Sequence, residues 1–202
     1  VLAIIVDEPR GKAEELLQVK DLLGSFTTSY VSSGRDRSGN VTNGCAKIDG
    51  TTLYPGDTFS TYDAVKPFSQ ENGYFMAGSY LNGKVVDSIG GGICQVSTTL
   101  YNAVLQAELE VTERHNHSMI VNYVDPSADA AIAESAGKDF RFVNNTEHPV
   151  YIEGYTEDKR ITFNIYGVES RDAGRTVVYE SKVLEKKVPE RDTIVADPSQ
   201  PV

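Results

Sequence analysis

Residues 89–103 read I-G-G-G-I-C-Q-V-S-T-T-L-Y-N-A, and no other stretch restricts the fold so tightly. Gly90, Gly91 and Gly92 permit backbone conformations closed to other residues, so the chain can turn sharply there. Beyond Cys94 the apolar residues are Val96, Leu100, Ala103, Val104 and Ala107. Their spacing of i, i+4, i+7, i+8 and i+11 predicts a helix with one buried face. Cys94 then lies at or just inside the helix N-terminus. The preceding residues 84–89 predict a strand running into the glycines.

That placement matters chemically. Unpaired N–H groups and the dipole at a helix start favour a thiolate. The same N–H groups can stabilise an oxyanion forming beside the sulfur. Residues 113–118 read E-R-H-N-H-S and bring together two of the three histidines, His115 and His117. A thiol at a helix start with a histidine on a following strand is the equipment of thiol acyl transfer. The plainer reading is a tight strand-to-helix turn with Cys94 as a small buried hydrophobe.

Composition narrows the alternatives. The chain has 202 residues, 40% hydrophobic and 24% charged, which suits a folded domain with a little chain to spare. Nineteen basic and 29 acidic residues give a net charge of −10. That argues against nucleic acid as a partner, since nucleic-acid binding needs clustered positive charge. His115, His117 and Cys94 have no second thiol nearby, so a zinc site is disfavoured and no metal or other cofactor is expected. Cys45, in N-G-C-A-K-I, reads as a core thiol, with a Cys45–Cys94 disulfide left open.

Along the chain, residues 1–6 predict a strand and residues 13–23 a helix closed by Gly24. Residues 24–50 are polar and carry Arg35 and Arg37. A Pro55-Gly56 turn separates two short apolar pieces. Residues 118–124 alternate, with His117, Met119, Val121 and Tyr123 predicted on one strand face. Residues 140–143 predict a further strand, and residues 150–155 and 160–166 a hairpin. Residues 176–184 suggest one more strand. The sum is an α+β fold: a mostly antiparallel sheet packed on a central helix that starts at Cys94.

The motifs also resemble a known family, the VanW domain family of bacterial surface proteins. The resemblance is carried by S-F-T-T-S-Y at 25–30, Y-P-G-D-T-F-S at 54–60, N-G-Y at 72–74, G-G-G-I-C-Q-V-S-T-T-L-Y-N-A at 90–103, E-R-H-N-H-S at 113–118, Asp129-Ala130, and D-F-R-F-V-N-N at 139–145. It covers about residues 21–167. It implies three parts: the tail of an upstream wall-binding domain or linker at 1–20, the VanW-like domain at 21–170, and a linker opening a further β-domain at 171–202. One departure is visible: Pro126 is followed by Ser127 and Ala128 where the family usually has a glycine two residues before Asp129.

The resemblance implies an extracellular, cell-wall protein, anchored to the membrane through a segment outside this sequence. Similarity to members assigned L,D-transpeptidase activity implies that the substrates are peptidoglycan stem tetrapeptides. Cys94 is then the nucleophile and His117, with His115 as the alternative, the base. Asp129 would orient the imidazole, as the third member of a triad does. Gly91, Gly92, Gln95, Ser97, Thr98 and Arg114 are candidate substrate-binding residues, Arg114 as a planar fork for a stem carboxylate. A thiol peptidase of the wall would share the first half-reaction. A wall-binding module with an inert Cys94 would share none of it.

Overall fold

The computed structural model describes residues 10–81 and 84–187. The strand expected at residues 1–6 lies outside them. In chain order the elements are α1 (Ala13–Leu16), β1 (Asp21–Ser29), α2 (Arg35–Ile48), β2 (Thr51–Leu53), β3 (Thr58–Ser60), α3 (Thr61–Val65), β4 (Met76–Leu81), β5 (Lys84–Ile89), α4 (Ile93–Gln106), β6 (Glu110–Glu113), β7 (Arg141–Val143), β8 (Val150–Glu157) and β9 (Arg160–Gly167). The fold is α+β, and every strand pair is antiparallel.

The main sheet has the order β1-β9-β8-β2, and smaller sheets run β3-β7-β6 and β4-β5. Helix α4 packs on β1 and β9. Its predicted stripe is the buried face: Val96, Leu100, Ala103 and Val104 are fully buried and Ala107 nearly so. At Gly24 the helix comes so close to β1 that a Cβ would lie 2.4 Å from the Ala103 carbonyl oxygen. The facing sheet contributes Ile152, Ile161, Phe163 and Ile165, alternate or adjacent core positions of the β8–β9 hairpin. Burying such side chains contributes about 1.5–3 kcal/mol each, which makes this layer the main source of cohesion.

Three local expectations need correction, and one helix forms where none was predicted. The helix predicted over 13–23 stops at Leu16, and residues 21–29 become β1. Leu16 and Leu17 are exposed, so their stripe buries nothing, whereas β1 gains a full ladder with β9. The polar segment before Gly50 holds a helix, α2, whose buried face is Asn40, Val41, Gly44, Cys45 and Ile48. Small and polar residues on that face conceal the helical period. Residues 118–124 do not form a strand, although burial alternates as expected: His117, Met119, Val121 and Tyr123 are the more buried set and Ser118, Ile120 and Asn122 are exposed, but no described strand pairs with the segment. Residues 176–184 are irregular, with Val178, Val183 and Leu184 exposed.

Candidate active site

The β4–β5 hairpin delivers the chain into the glycine turn, and the turn delivers Cys94 to α4. Gly91 sits against β4, where a Cβ would lie 2.2 Å from the Ala77 carbonyl oxygen. Gly92 is the N-cap at φ 107°, a conformation that suits glycine. Carbonyls of Gly90 and Gly92 accept from the N–H groups of Ile93 and Gln95. Among the described residues no carbonyl accepts from the Cys94 N–H, which leaves it for a ligand.

Cys94 is half-buried, and its Sγ lies 3.4 Å from the Ile132 carbonyl oxygen. The His117 ring lies near enough to the Cys94 side chain for the thiol to raise its pKa, while the thiol's own hydrogen bond goes to the Ile132 carbonyl. On the far side of the ring, Nδ1 lies 2.6 Å from Asp129 Oδ2, and the same oxygen accepts from the His117 backbone N–H at 2.7 Å. A thiol, an imidazole and a carboxylate thus stand in series, with one carboxylate oxygen holding His117 by its ring and by its backbone. The side chains of His117 and Asp129 are 6% and 9% exposed. Burial opposes a charge on His117, but the neighbouring Cys94 side chain and then Asp129 outweigh it, and the ring's pKa is raised. Burial likewise opposes the Asp129 charge, and the His117 backbone and ring, with Arg114, hold its carboxyl below the ordinary range.

Cys94 and His117 open into a cleft of about 850 Å³. Tyr80 of β4 stands edge-on to His117, with ring centroids 6.2 Å apart. Tyr123 and Arg37 also line the cleft. Among the described residues no cluster of three or more His, Cys, Asp or Glu could hold a metal ion, and no helix is long and apolar enough to cross a membrane.

Residues 36–166 match the family described as VanW like protein. The chain belongs to the VanW family. It is 38% identical to the uncharacterized protein YoaR of Bacillus subtilis (strain 168) over 145 residues, covering 71% of this chain and 48% of that protein. It is 26% identical to the vancomycin B-type resistance protein VanW of Enterococcus faecalis over 125 residues, covering 59% of this chain and 45% of that protein. The chain therefore spans about half the length of the curated relatives it matches. No solved structure matches it.

The VanW motifs divide between the cleft and its supports. His115 lies outside the cleft: its ring is 39% exposed and pairs with Glu113 at 3.0 Å. Arg114 does not reach the cleft either. Its guanidinium binds Asp129 Oδ1 at 2.9 Å and the carbonyls of Asp129 and Ser127, clamping the loop that aims His117. Thr98 Oγ1 accepts from the Ala130 N–H at 3.0 Å and so fastens that loop to α4. Ser97 is fully buried on α4, away from the cleft. Gln95 is 1% exposed and binds Thr28, the Ser29 carbonyl and Arg37. Arg114, Thr98 and Ser97 stay off the cleft surface, whereas Gln95 lines the cleft with its amide engaged by those partners. Ser127, in the place where the family usually has glycine, adopts φ 73°, the backbone conformation glycine favours.

Sequence reading did not single out Arg37, Tyr80 or Tyr123 as site residues. Arg37 is on a helix with a concealed period, and Tyr80 reaches the site only because the hairpin folds back over it.

The two cysteines are both free, so the disulfide left open above is absent. Cys45 is 2% exposed, and burial pushes its thiol up to about 12. Iodoacetamide at pH 7 should therefore label Cys94 first and leave Cys45 unmodified in the native protein, as read by peptide mass spectrometry. Labelling of Cys45 ahead of Cys94 would contradict the assignment of the reactive thiol.

Proposed function

We propose that this protein is a cell-wall L,D-transpeptidase that forms 3-3 cross-links in peptidoglycan through a thioester on Cys94. The observation that carries the reading is the Cys94–His117–Asp129 series opening into a cleft. The reading is supported by similarity to a vancomycin B-type resistance protein of the same family. A tetrapeptide stem lacks the D-Ala-D-Ala end that glycopeptides bind, so cross-linking through it fits that association.

In the first half-reaction the Cys94 thiolate attacks the carbonyl carbon of the third stem residue, a diamino acid. The Cys94 N–H faces the developing oxyanion. The C–N bond to the terminal D-Ala breaks, and protonated His117 gives its proton to the leaving amine. A thioester remains. In the second half-reaction the side-chain amine of another stem attacks the thioester, His117 takes the proton, and the thiolate leaves. The product is an amide between two third residues. Asp129 fixes the ring so that the nitrogen not bonded to it faces the sulfur.

The deciding experiment incubates the purified protein with a defined tetrapeptide muropeptide and separates products by liquid chromatography and mass spectrometry. Cross-linked dimer formed by the parent and absent with Cys94→Ala is the expected outcome. Shortened stems without dimers would make it a thiol peptidase, with water as the acceptor. No product with an inert Cys94 would leave a wall-binding module.

A further inference from the structure

The cleft beside Cys94 contains a cation that the acyl-transfer series does not use. Arg37, on the first turn of α2, is half-buried and lines the cleft with Cys94, His117 and Tyr123. Its Nη1 donates to Ser33 Oγ at 2.6 Å and its Nη2 to Gln95 Oε1 at 2.9 Å. Both acceptors are neutral. Asp36 and Glu134 also line the cleft, yet among the described residues no carboxylate pairs with Arg37. A guanidinium has five N–H donors, so three remain for a ligand.

The group is also held in place. Gln95, 1% exposed, is itself pinned to Thr28 and Ser29, so it fixes the guanidinium rather than following it. The stem of Arg37 lies across the glycine turn: a Cβ on Gly92 would come within 2.9 Å of Arg37 Cγ and 3.4 Å of Nε. The cation is thereby packed two residues before the nucleophile. A fixed, half-buried arginine with no counter-charge among the described residues, in a chain of net charge −10, is suited to receive a planar anion.

We infer that Arg37 is the specificity residue of the site, gripping the free C-terminal carboxylate of the residue that Cys94 displaces. This rests on the proposed acyl transfer. A terminal carboxylate lies one residue beyond the attacked carbonyl, about 3.6 Å at full extension. Its receptor must therefore sit on the cleft wall close to the thiol, and Arg37 packs on Gly92 and bonds Gln95, the residues flanking the Ile93-Cys94 pair. The pairing restricts attack to the last peptide bond of a stem, because an internal residue presents a neutral amide there.

The test is binding by the Cys94→Ala protein, which cannot turn over. A synthetic stem tetrapeptide with a free C-terminal acid and the same peptide as its C-terminal amide are titrated calorimetrically. The acid should bind about tenfold or more tightly than the amide, as expected for a charge-assisted pair. Adding Arg37→Gln should abolish that preference by weakening the acid alone. Arg37→Lys should retain part of it, since the charge stays and the fork is lost. Equal affinity for acid and amide, equal weakening of both by Arg37→Gln, or no binding of either peptide would overturn the inference. Turnover by protein with Cys94 intact is scored separately. An Arg37-dependent acid preference without any transfer product would sink the chemistry and keep the receptor. Cross-linking of acid and amide alike would do the reverse.

Discussion

His117→Ala should cut acyl transfer by about a hundred-fold to ten-thousand-fold, whereas His115→Ala should leave the rate close to the parent's. The two rings are two residues apart in sequence but differ in every physical respect. His117 is buried between Cys94 and Asp129, while His115 is exposed and bonded to Glu113. Thermal denaturation should show both variants folded, so that the loss is chemical. Asp129→Asn should fall in the same range as His117→Ala, because it removes the charge that steadies the protonated ring.

The pH profile gives this prediction a second readout. The leaving amine takes its proton from His117, so the rate declines as pH rises and the imidazolium is lost. With the ring's pKa raised, that alkaline limb should lie above the ordinary imidazole value of about 6.5. Asp129 is one of the groups that raise it, so in Asp129→Asn the limb should move to lower pH. A limb that stays in place, or a larger loss at His115 than at His117, would refute the assigned base.

Asn40→Ala should destabilise the protein by about 3 kcal/mol, since it removes three hydrogen bonds of a buried amide and strands the Gly91 carbonyl and the Phe75 N–H at about 1–3 kcal/mol each, while the Phe75 carbonyl keeps the Gly90 N–H. Asn40 is fully buried on α2. Its Nδ2 donates to the carbonyls of Phe75 and Gly91 at 3.0 and 2.9 Å, and its Oδ1 accepts from the Phe75 N–H at 2.8 Å. One side chain thus joins α2, the start of β4 and the glycine turn before Cys94. The midpoint of thermal unfolding should drop by roughly 6–12 °C, given about 2–4 °C per kcal/mol for a protein of this size. Cys94 should also lose its selective alkylation, because the hairpin and the glycine turn are no longer tied to one frame. A shift of less than about 1 kcal/mol in urea unfolding would show that solvent replaces those bonds and that the clamp is dispensable.

The same residues separate what could be read locally from what could not. The stripe from Val96 to Ala107 predicts α4 because helical period and burial coincide there, residue by residue. The β8–β9 hairpin is equally legible, since its strands adjoin in sequence and Ile161, Phe163 and Ile165 alternate inward. Cys94 as the start of α4, and the mixed antiparallel fold around it, follow from these local signals together with the family motifs. Helix α2 was hidden because its buried face is built from Asn40, Gly44 and Cys45, which carry packing and hydrogen bonds rather than hydropathy. Strand β1 was hidden because its partner, β9, lies far along the chain, and no local pattern in Leu16 and Leu17 says that they will stay exposed.

The site divides in the same way. The amino-acid sequence by itself determined that a cysteine would open a buried helix after a glycine turn, because glycine conformation and helical period are properties of neighbouring residues. Only the tertiary structure decided which histidine meets that cysteine, that Arg114 supports the Asp129 loop instead of facing the cleft, and that Arg37 does face it. Those outcomes depend on segments that pair with no neighbouring strand, held by long-range hydrogen bonds from Asp129, Thr98 and Gln95. Such bonds form only after the helix and sheet have brought distant segments together, and their partners leave no regular spacing in the chain.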